Sequence, residues 1–226
     1  MANIQPILVG PQFRIRPLVE ADRDNLYIAA RDPLIWEQHP ARNRHQRNVF
    51  DGYFSALVAA GGALAFEERP GSKIIGCSRY YAAPNAPGEW SIGFTFIERR
   101  LWGGPANMAL KTLMLDHLFI TEPRVWFHIG KDNVRSQKGT GKLGAIAAGT
   151  CHADLLGTGI SEEFLTFRLD AAAWASVSWP LIFQLRHSIS HNKKGAAKAT
   201  PFPAQEPSGR YRILSASIPL APGWHP

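Results

Sequence analysis

Cysteine is nearly absent from this chain: Cys77 and Cys151 are the only two among 226 residues. Two cysteines make no disulfide framework, and neither lies in a motif that marks a nucleophile or a zinc site. No apolar run is long enough to cross a bilayer. The N-terminus, MANIQPILVG, has neither the basic stretch nor the apolar core of a secretion signal. These absences lead us to expect a reduced, cytoplasmic protein. Acidic residues are also few, 18 against 25 Lys and Arg, which leaves a net charge of +7. That excess is concentrated: from Arg186 onward six basic residues face the single acid Glu206, which accounts for five of the seven charges. A solvated basic tail explains it better than a nucleic-acid-binding face. With 45% hydrophobic and 19% charged residues, the rest has the composition of a globular core. We therefore expect one α/β domain over residues 1–185 and a poorly packed tail over 186–226, KKGAAKATPFPAQEPSGRYR being linker-like in composition.

Two phosphate-binding loops are missing as well. A dinucleotide fingerprint needs G-x-G-x-x-G, and Gly103-Gly104-Pro105-Ala106-Asn107 does not supply it. The run Lys138-Gly139-Thr140-Gly141-Lys142-Leu143 fails as a P-loop: Ser136 stands where the first Gly belongs and Leu143 where a Ser or Thr would hold magnesium. What the chain does have is the stretch 94–119, FTFIERRLWGGPANMALKTLMLDHLF. Phe94 to Ile97 have strand composition, and Gly103-Gly104 permit a sharp turn. Pro105 suits the first turn of a helix, and Ala106, Ala109, Leu110, Leu113, Met114, His117 and Leu118 recur at helical spacing. A Gly-rich turn feeding a helix presents unpaired N–H groups and the positive end of the helix dipole, a generic anion site.

The remaining elements follow from pattern. Residues 13–17 read as a strand, 20–31 as a helix ended by Asp32-Pro33, 36–47 as a loop, and 48–60 as a helix stopped by Gly61-Gly62. Strands are expected over 63–67, 74–81, from Glu89-Trp90 to Ile97, over 125–129 and over 164–169. Residues 171–185 are mostly apolar, with Pro180 bending or bounding any helix there.

In order, these pieces are a strand, a W-G-G turn, an amphipathic helix, the strand VWFHI, Asn133-x-x-Ser136, a short helix and Lys142-Leu143-Gly144-Ala145. The arrangement resembles the GNAT acetyltransferase superfamily, and within it the branch of ribosomal-protein alanine N-acetyltransferases. Phe13-Arg14-Ile15-Arg16-Pro17-Leu18 and Ala21-Asp22 are similar to the opening of that branch. The resemblance implies a mixed, mostly antiparallel sheet of six or seven strands flanked by helices, with one parallel pair, 92–97 and 125–129, that splays apart. It implies acetyl-CoA as co-substrate, no metal, and N-acetyl transfer to a primary amine, either a protein N-terminus or a small amine. An amine acceptor is then the partner, without membrane or nucleic acid, and a homodimer is left open. The alternative from another class is a non-catalytic acyl-CoA-binding or regulatory module.

The family's Q/R-x-x-G-x-G/A turn maps onto Arg100-Leu101-Trp102-Gly103-Gly104-Pro105. Pro105 departs from it and cannot donate, so the resemblance assigns the pyrophosphate to Leu101, Gly103, Gly104, Ala106 and Asn107, with Phe96, Arg100 and Trp102 beside them. Gly93 is expected to permit a local distortion of the strand. Asn133 matches a residue that binds the cofactor arm, and equally suits a helix cap. Ser136 matches a position that protonates the departing thiolate, or is a helix-start Ser. The family's E-I-G carboxylate is replaced by Ser91-Ile92-Gly93, and a helical Glu by Ala109. Glu89, on the same face by strand alternation, is the substitute base, or a solvated charge. Trp36, His39 and Arg42, with Arg44 and His45, fall in the loop that walls the acceptor site. His117 and His128 read as core histidines, although His128 could face the acyl site. His187 and His191 lack a third zinc ligand.

Overall fold

The computed structural model describes residues 2–157 and 159–177. The tail after Arg186, with His187 and His191, lies outside them. Among the described residues the scaffold is one eight-stranded sheet. The strands are β1 (Leu8–Val9), β2 (Phe13–Pro17), β3 (Ala63–Glu68), β4 (Lys73–Ala82), β5 (Trp90–Ile97), β6 (Arg124–Ile129), β7 (Ile146–Ala153) and β8 (Glu162–Asp170), in the order β1-β2-β3-β4-β5-β6-β8-β7. Every neighbouring pair is antiparallel except β5 and β6. The helices are α1 (Arg23–Ala30), α2 (Arg47–Ala59), α3 (Ala106–Leu118) and α4 (Val134–Gly141), and residues 171–177 are helical again. Among the described residues no helix is long and apolar enough to cross a membrane.

Strand alternation divides the core. On one face Leu26, Phe50, Phe54 and Leu57 of α1 and α2 pack with Ala65, Cys77 and Phe96; on the other, Leu110, Met114 and Leu118 of α3 pack with Ile15, Tyr80, Ile92 and Val125. Two polar clasps fix the layers. Buried Asp22 takes two bonds from Arg16 (2.7 and 2.8 Å), and the same guanidinium reaches Glu67 at 2.7 Å. On the opposite face Trp174 Nε1 donates to Asp116 Oδ1 (2.7 Å), holding the last helical turn against α3.

The sheet has eight strands rather than six or seven. The pattern missed β7 because its sequence, IAAGTCHA, is small and almost wholly exposed, with no apolar alternation. Pairing to β8 makes it a strand, with a register shift between Ala147 and Thr150 around Gly149 at φ +101°. Two-residue β1 is too short to leave a periodic trace.

Candidate active site

Strands β5 and β6 are joined through only two register pairs, Trp90 with Val125 and Ser91 with Trp126, and then part. The cause lies in β5. Its register against β4 shifts between Cys77 and Arg79, and Phe94 takes φ +54°, a bulge that turns the strand. The distortion expected at Gly93 therefore falls one residue later. Gly93 is needed for a different reason: a Cβ there would lie 2.9 Å from Cε1 and Oη of Tyr81. A polar string braces the bulge. Lys111 Nζ donates to Thr95 Oγ1 (2.7 Å), Thr95 and Ser78 hydroxyls meet at 2.7 Å, and Ser78 Oγ donates to Gly93 O (3.0 Å). Lys111 is buried with no carboxylate bonded to it among the described residues, and burial pushes its amine down to about 7. The helical pattern hid it, because a lysine inside an apolar run reads as a stem lying along the core.

At the open end of this cleft stands the turn before α3. The N–H groups of Leu101 and Trp102 are used inside the turn, donating to Glu98 O and Arg99 O (both 3.0 Å), so Leu101 supplies no donor, contrary to expectation. Those of Gly103, Gly104, Ala106 and Asn107 have no acceptor among the described residues. Gly103 has φ +72° and open space around it. Pro105 adopts helical angles and its carbonyl accepts from Ala109 N–H at 2.9 Å, so it starts the helix and removes one donor only. Arg100 is held by Glu98 and by both oxygens of Glu68. Trp102 donates to Ile97 O (3.2 Å), and Arg135 lies 3.9 Å over its ring. Phe96 is a core residue, 5.1 Å from Trp36. The helix cap is the role visible for Asn133, whose Oδ1 accepts from Ser136 N–H (3.1 Å) at the start of α4; its side-chain NH2 and the Ser136 hydroxyl make no bond among the described residues.

The α1–α2 segment is walled differently than expected. Trp36 is buried, donates to Ala30 O (2.7 Å) and packs on Tyr53, so it is core rather than a substrate contact. His39 Nδ1 accepts from Ala41 N–H (2.9 Å); burial and then the Arg44 charge lower its pKa to about 3. Arg42 is exposed in the 3-10 turn Arg42–His45. Arg44 stacks 4.0 Å over Tyr53 and forms no ion pair among the described residues.

The closed end of the cleft is polar. Glu89 is not free to act as a base: one oxygen accepts from Trp126 Nε1 and the other from Arg124, which also binds Asp170. Its carboxylate ties the residue before β5 to β6, and Arg124 carries the tie on to Asp170 of β8. Ser91, in the place of the family carboxylate, is fully buried and its Oγ has no partner among the described residues. Opposite it in register is Tyr81, whose Oη lies 2.9 Å from His128 Nδ1. His128 Nε2 is 2.7 Å from Asn85 Oδ1. His117 is half-buried: its ring packs on core Tyr80, its Nδ1 is buried without a partner among the described residues, and its Nε2 meets Asn3 O at 2.7 Å. Among the described residues no His, Cys, Asp and Glu cluster is placed to hold a metal.

A family model described as an acetyltransferase (GNAT) domain matches residues 12–146. Among solved structures, the fold is similar to that of a GCN5-related N-acetyltransferase from Brucella melitensis, with TM-score 0.60 and 17% identity over 76% of this chain and 82% of that one. It is similar to Mycobacterium smegmatis RimJ in complex with CoA-disulfide, with TM-score 0.55 and 20% identity over 76% and 91%. It also matches the ribosomal-protein-S5-alanine acetyltransferase from Vibrio fischeri, with TM-score 0.51 and 16% identity over 74% and 98%. At such identities the likeness carries the fold alone. No curated protein sequence matches. The family model spans more than half of the chain and includes the turn, the parted strands and α4: the chain belongs to the GNAT acetyltransferase family.

Proposed function

We propose that the chain moves an acetyl group from acetyl-CoA to a primary amine by direct attack. The observation that carries this reading is the cleft between β5 and β6, with four free main-chain donors at its open end. Gly103, Gly104, Ala106 and Asn107 N–H groups suit a pyrophosphate, and the α3 dipole adds to them. The unpaired main-chain edges of the parted strands suit an extended amide arm, bound as an extra strand. Acetyl-CoA supplies the activated thioester. The Ser136 hydroxyl would give its proton to the departing thiolate, and the Asn133 side-chain NH2 would hold the arm. The segment with His39, Arg42 and Arg44 would meet the acceptor.

Calorimetry with CoA and acetyl-CoA, followed by CoA release across a panel of amines and peptides, tests the reading. Binding with turnover supports it. Absence of binding at millimolar ligand overturns it, and binding without turnover on any amine leaves the non-catalytic module that Ser91 and Pro105 motivate.

A further inference from the structure

We propose that Tyr81, His128 and Asn85 form the proton path of acetyl transfer: the Tyr81 hydroxyl takes the proton of the attacking amine while passing its own to His128, which discharges it at the exposed turn that bears Asn85. The inference rests on the acetyl-transfer reading above.

Tyr81 pairs with Ser91, in the last register pair before β5 and β6 separate, and its ring lies against Gly93 beside the bulge. Strand alternation puts Tyr81, Ser91 and His128 on one face. A bare buried Ser91 Oγ thus stands where a carboxylate would otherwise act, with a phenol and an imidazole facing the same space.

Asn85 Oδ1 can only accept, so Nε2 of His128 carries the ring proton and Nδ1 keeps its lone pair, an assignment made from the bonding pattern. Nδ1 therefore accepts from the Tyr81 hydroxyl. The chain is directional, from a buried phenol to an amide in solvent.

Charge agrees. Burial lowers His128 to about 4, so the ring is neutral and able to accept near neutral pH. Burial also raises the phenol well above its usual range, against the opposing Arg79 charge, so Tyr81 keeps a proton to pass on. The groups around the pair are Arg79, 5.7 Å from the Tyr81 ring, Ser91 across from Tyr81, Cys151 on β7, and Thr166, the β8 partner of His128 with an unpartnered hydroxyl. Among the described residues no carboxylate bonds to either ring, Glu89 being held by Trp126 and Arg124.

The step balances. The amine lone pair bonds to the acetyl carbon, and the C–S pair leaves on sulfur, to be protonated by Ser136. The surplus amine proton goes to Tyr81 Oη as the phenolic proton goes to Nδ1. The imidazolium then loses its Nε2 proton to water, proton exchange with solvent returns the ring to the Nε2–H tautomer with Nδ1 free to accept again, and Ser136 recovers one proton from water.

The experiment is the pH profile of kcat, with acetyl-CoA affinity by calorimetry, for the parent, Tyr81→Phe, His128→Gln and Asn85→Asp. We expect kcat to fall about 100-fold in the first two variants, with affinity kept within about twofold. Asn85→Asp sits on an exposed turn and puts an anion beside Nε2. It should raise the His128 pKa and move the acid limb of the profile up by about one pH unit. Should a core variant fail to fold, the Asn85→Asp profile still decides. Rates within about threefold of the parent in the first two variants, or an unmoved acid limb in the third, would overturn the path while the parent's turnover keeps the acetyl-transfer reading. A parent that binds no acetyl-CoA would overturn both.

Discussion

The two ends of the cleft between β5 and β6 are made from different material. The open end is main chain: four N–H groups freed by a glycine turn and a helix start. The closed end is side chain, Tyr81, Ser91 and His128, with the Lys111–Thr95–Ser78 string bracing the bulge beyond it. A site made of backbone survives substitution so long as the dihedral angles are kept, which is why Pro105 costs one donor and no more. A site made of side chains changes its chemistry with one residue, as Ser91 does by putting a hydroxyl where the family has its carboxylate, while Glu89 on the same face is bound to Trp126 and Arg124.

Substitutions at each end should separate along that line. The largest effect belongs to the open end. Gly104→Glu puts an anion among the free N–H groups and should weaken acetyl-CoA binding about 100-fold, about 3 kcal/mol by calorimetry, with the melting temperature nearly unchanged. An unchanged affinity would mean that the turn does not hold the ligand. At the closed end, Gly93→Ala should show the reverse. Its Cβ must displace the Tyr81 ring, so unfolding by urea should show a loss of about 2 kcal/mol, and kcat should drop while affinity holds.

Lys111→Met isolates the brace beneath the bulge. The folded pKa of this amine is depressed, so between about 7 and its unfolded value near 10.5 the unfolded state binds more protons. Parent stability should therefore rise with pH across that window, and be lowest, as far as this group is concerned, below it. The Met variant should lose the slope and gain about 1 kcal/mol at pH 6, read from denaturation midpoints at several pH values. A slope equal to the parent's would show the amine to be normally protonated. The smallest effect is expected from Glu89→Gln: about 0.5 kcal/mol of stability from a partly exposed clasp, and no change in kcat. A large rate loss would return Glu89 to the chemistry.

Legibility followed the same division. The strand, turn and helix from Phe94 to Leu118 were readable because Gly-Gly-Pro and a helical apolar repeat are local signals. So was the parting of β5 and β6, through the family resemblance. Leu101 was misassigned because whether an N–H is free depends on a 3-10 turn that composition does not announce. Trp36 looked available because it lies in a polar loop; its indole turns inward to Ala30 O and Phe96. His128 could be weighed only as core or acyl-facing, since its partners lie 43 and 47 residues away.

By itself, then, the sequence determined the order of the helices and of the strands other than β1 and β7, the glycine turn before α3, and the serine at position 91. Each of these is a property of neighbouring residues: backbone permission, periodicity, or a side chain present or missing. Tertiary structure decided what those residues meet. It bonded Glu89 to Trp126 and Arg124, set Lys111 against Thr95 with no counter-ion among the described residues, and aligned Tyr81 and His128 across β4 and β6. The reason is that protonation and hydrogen-bond roles depend on distance and burial, which are fixed only when strands far apart in the chain take their register.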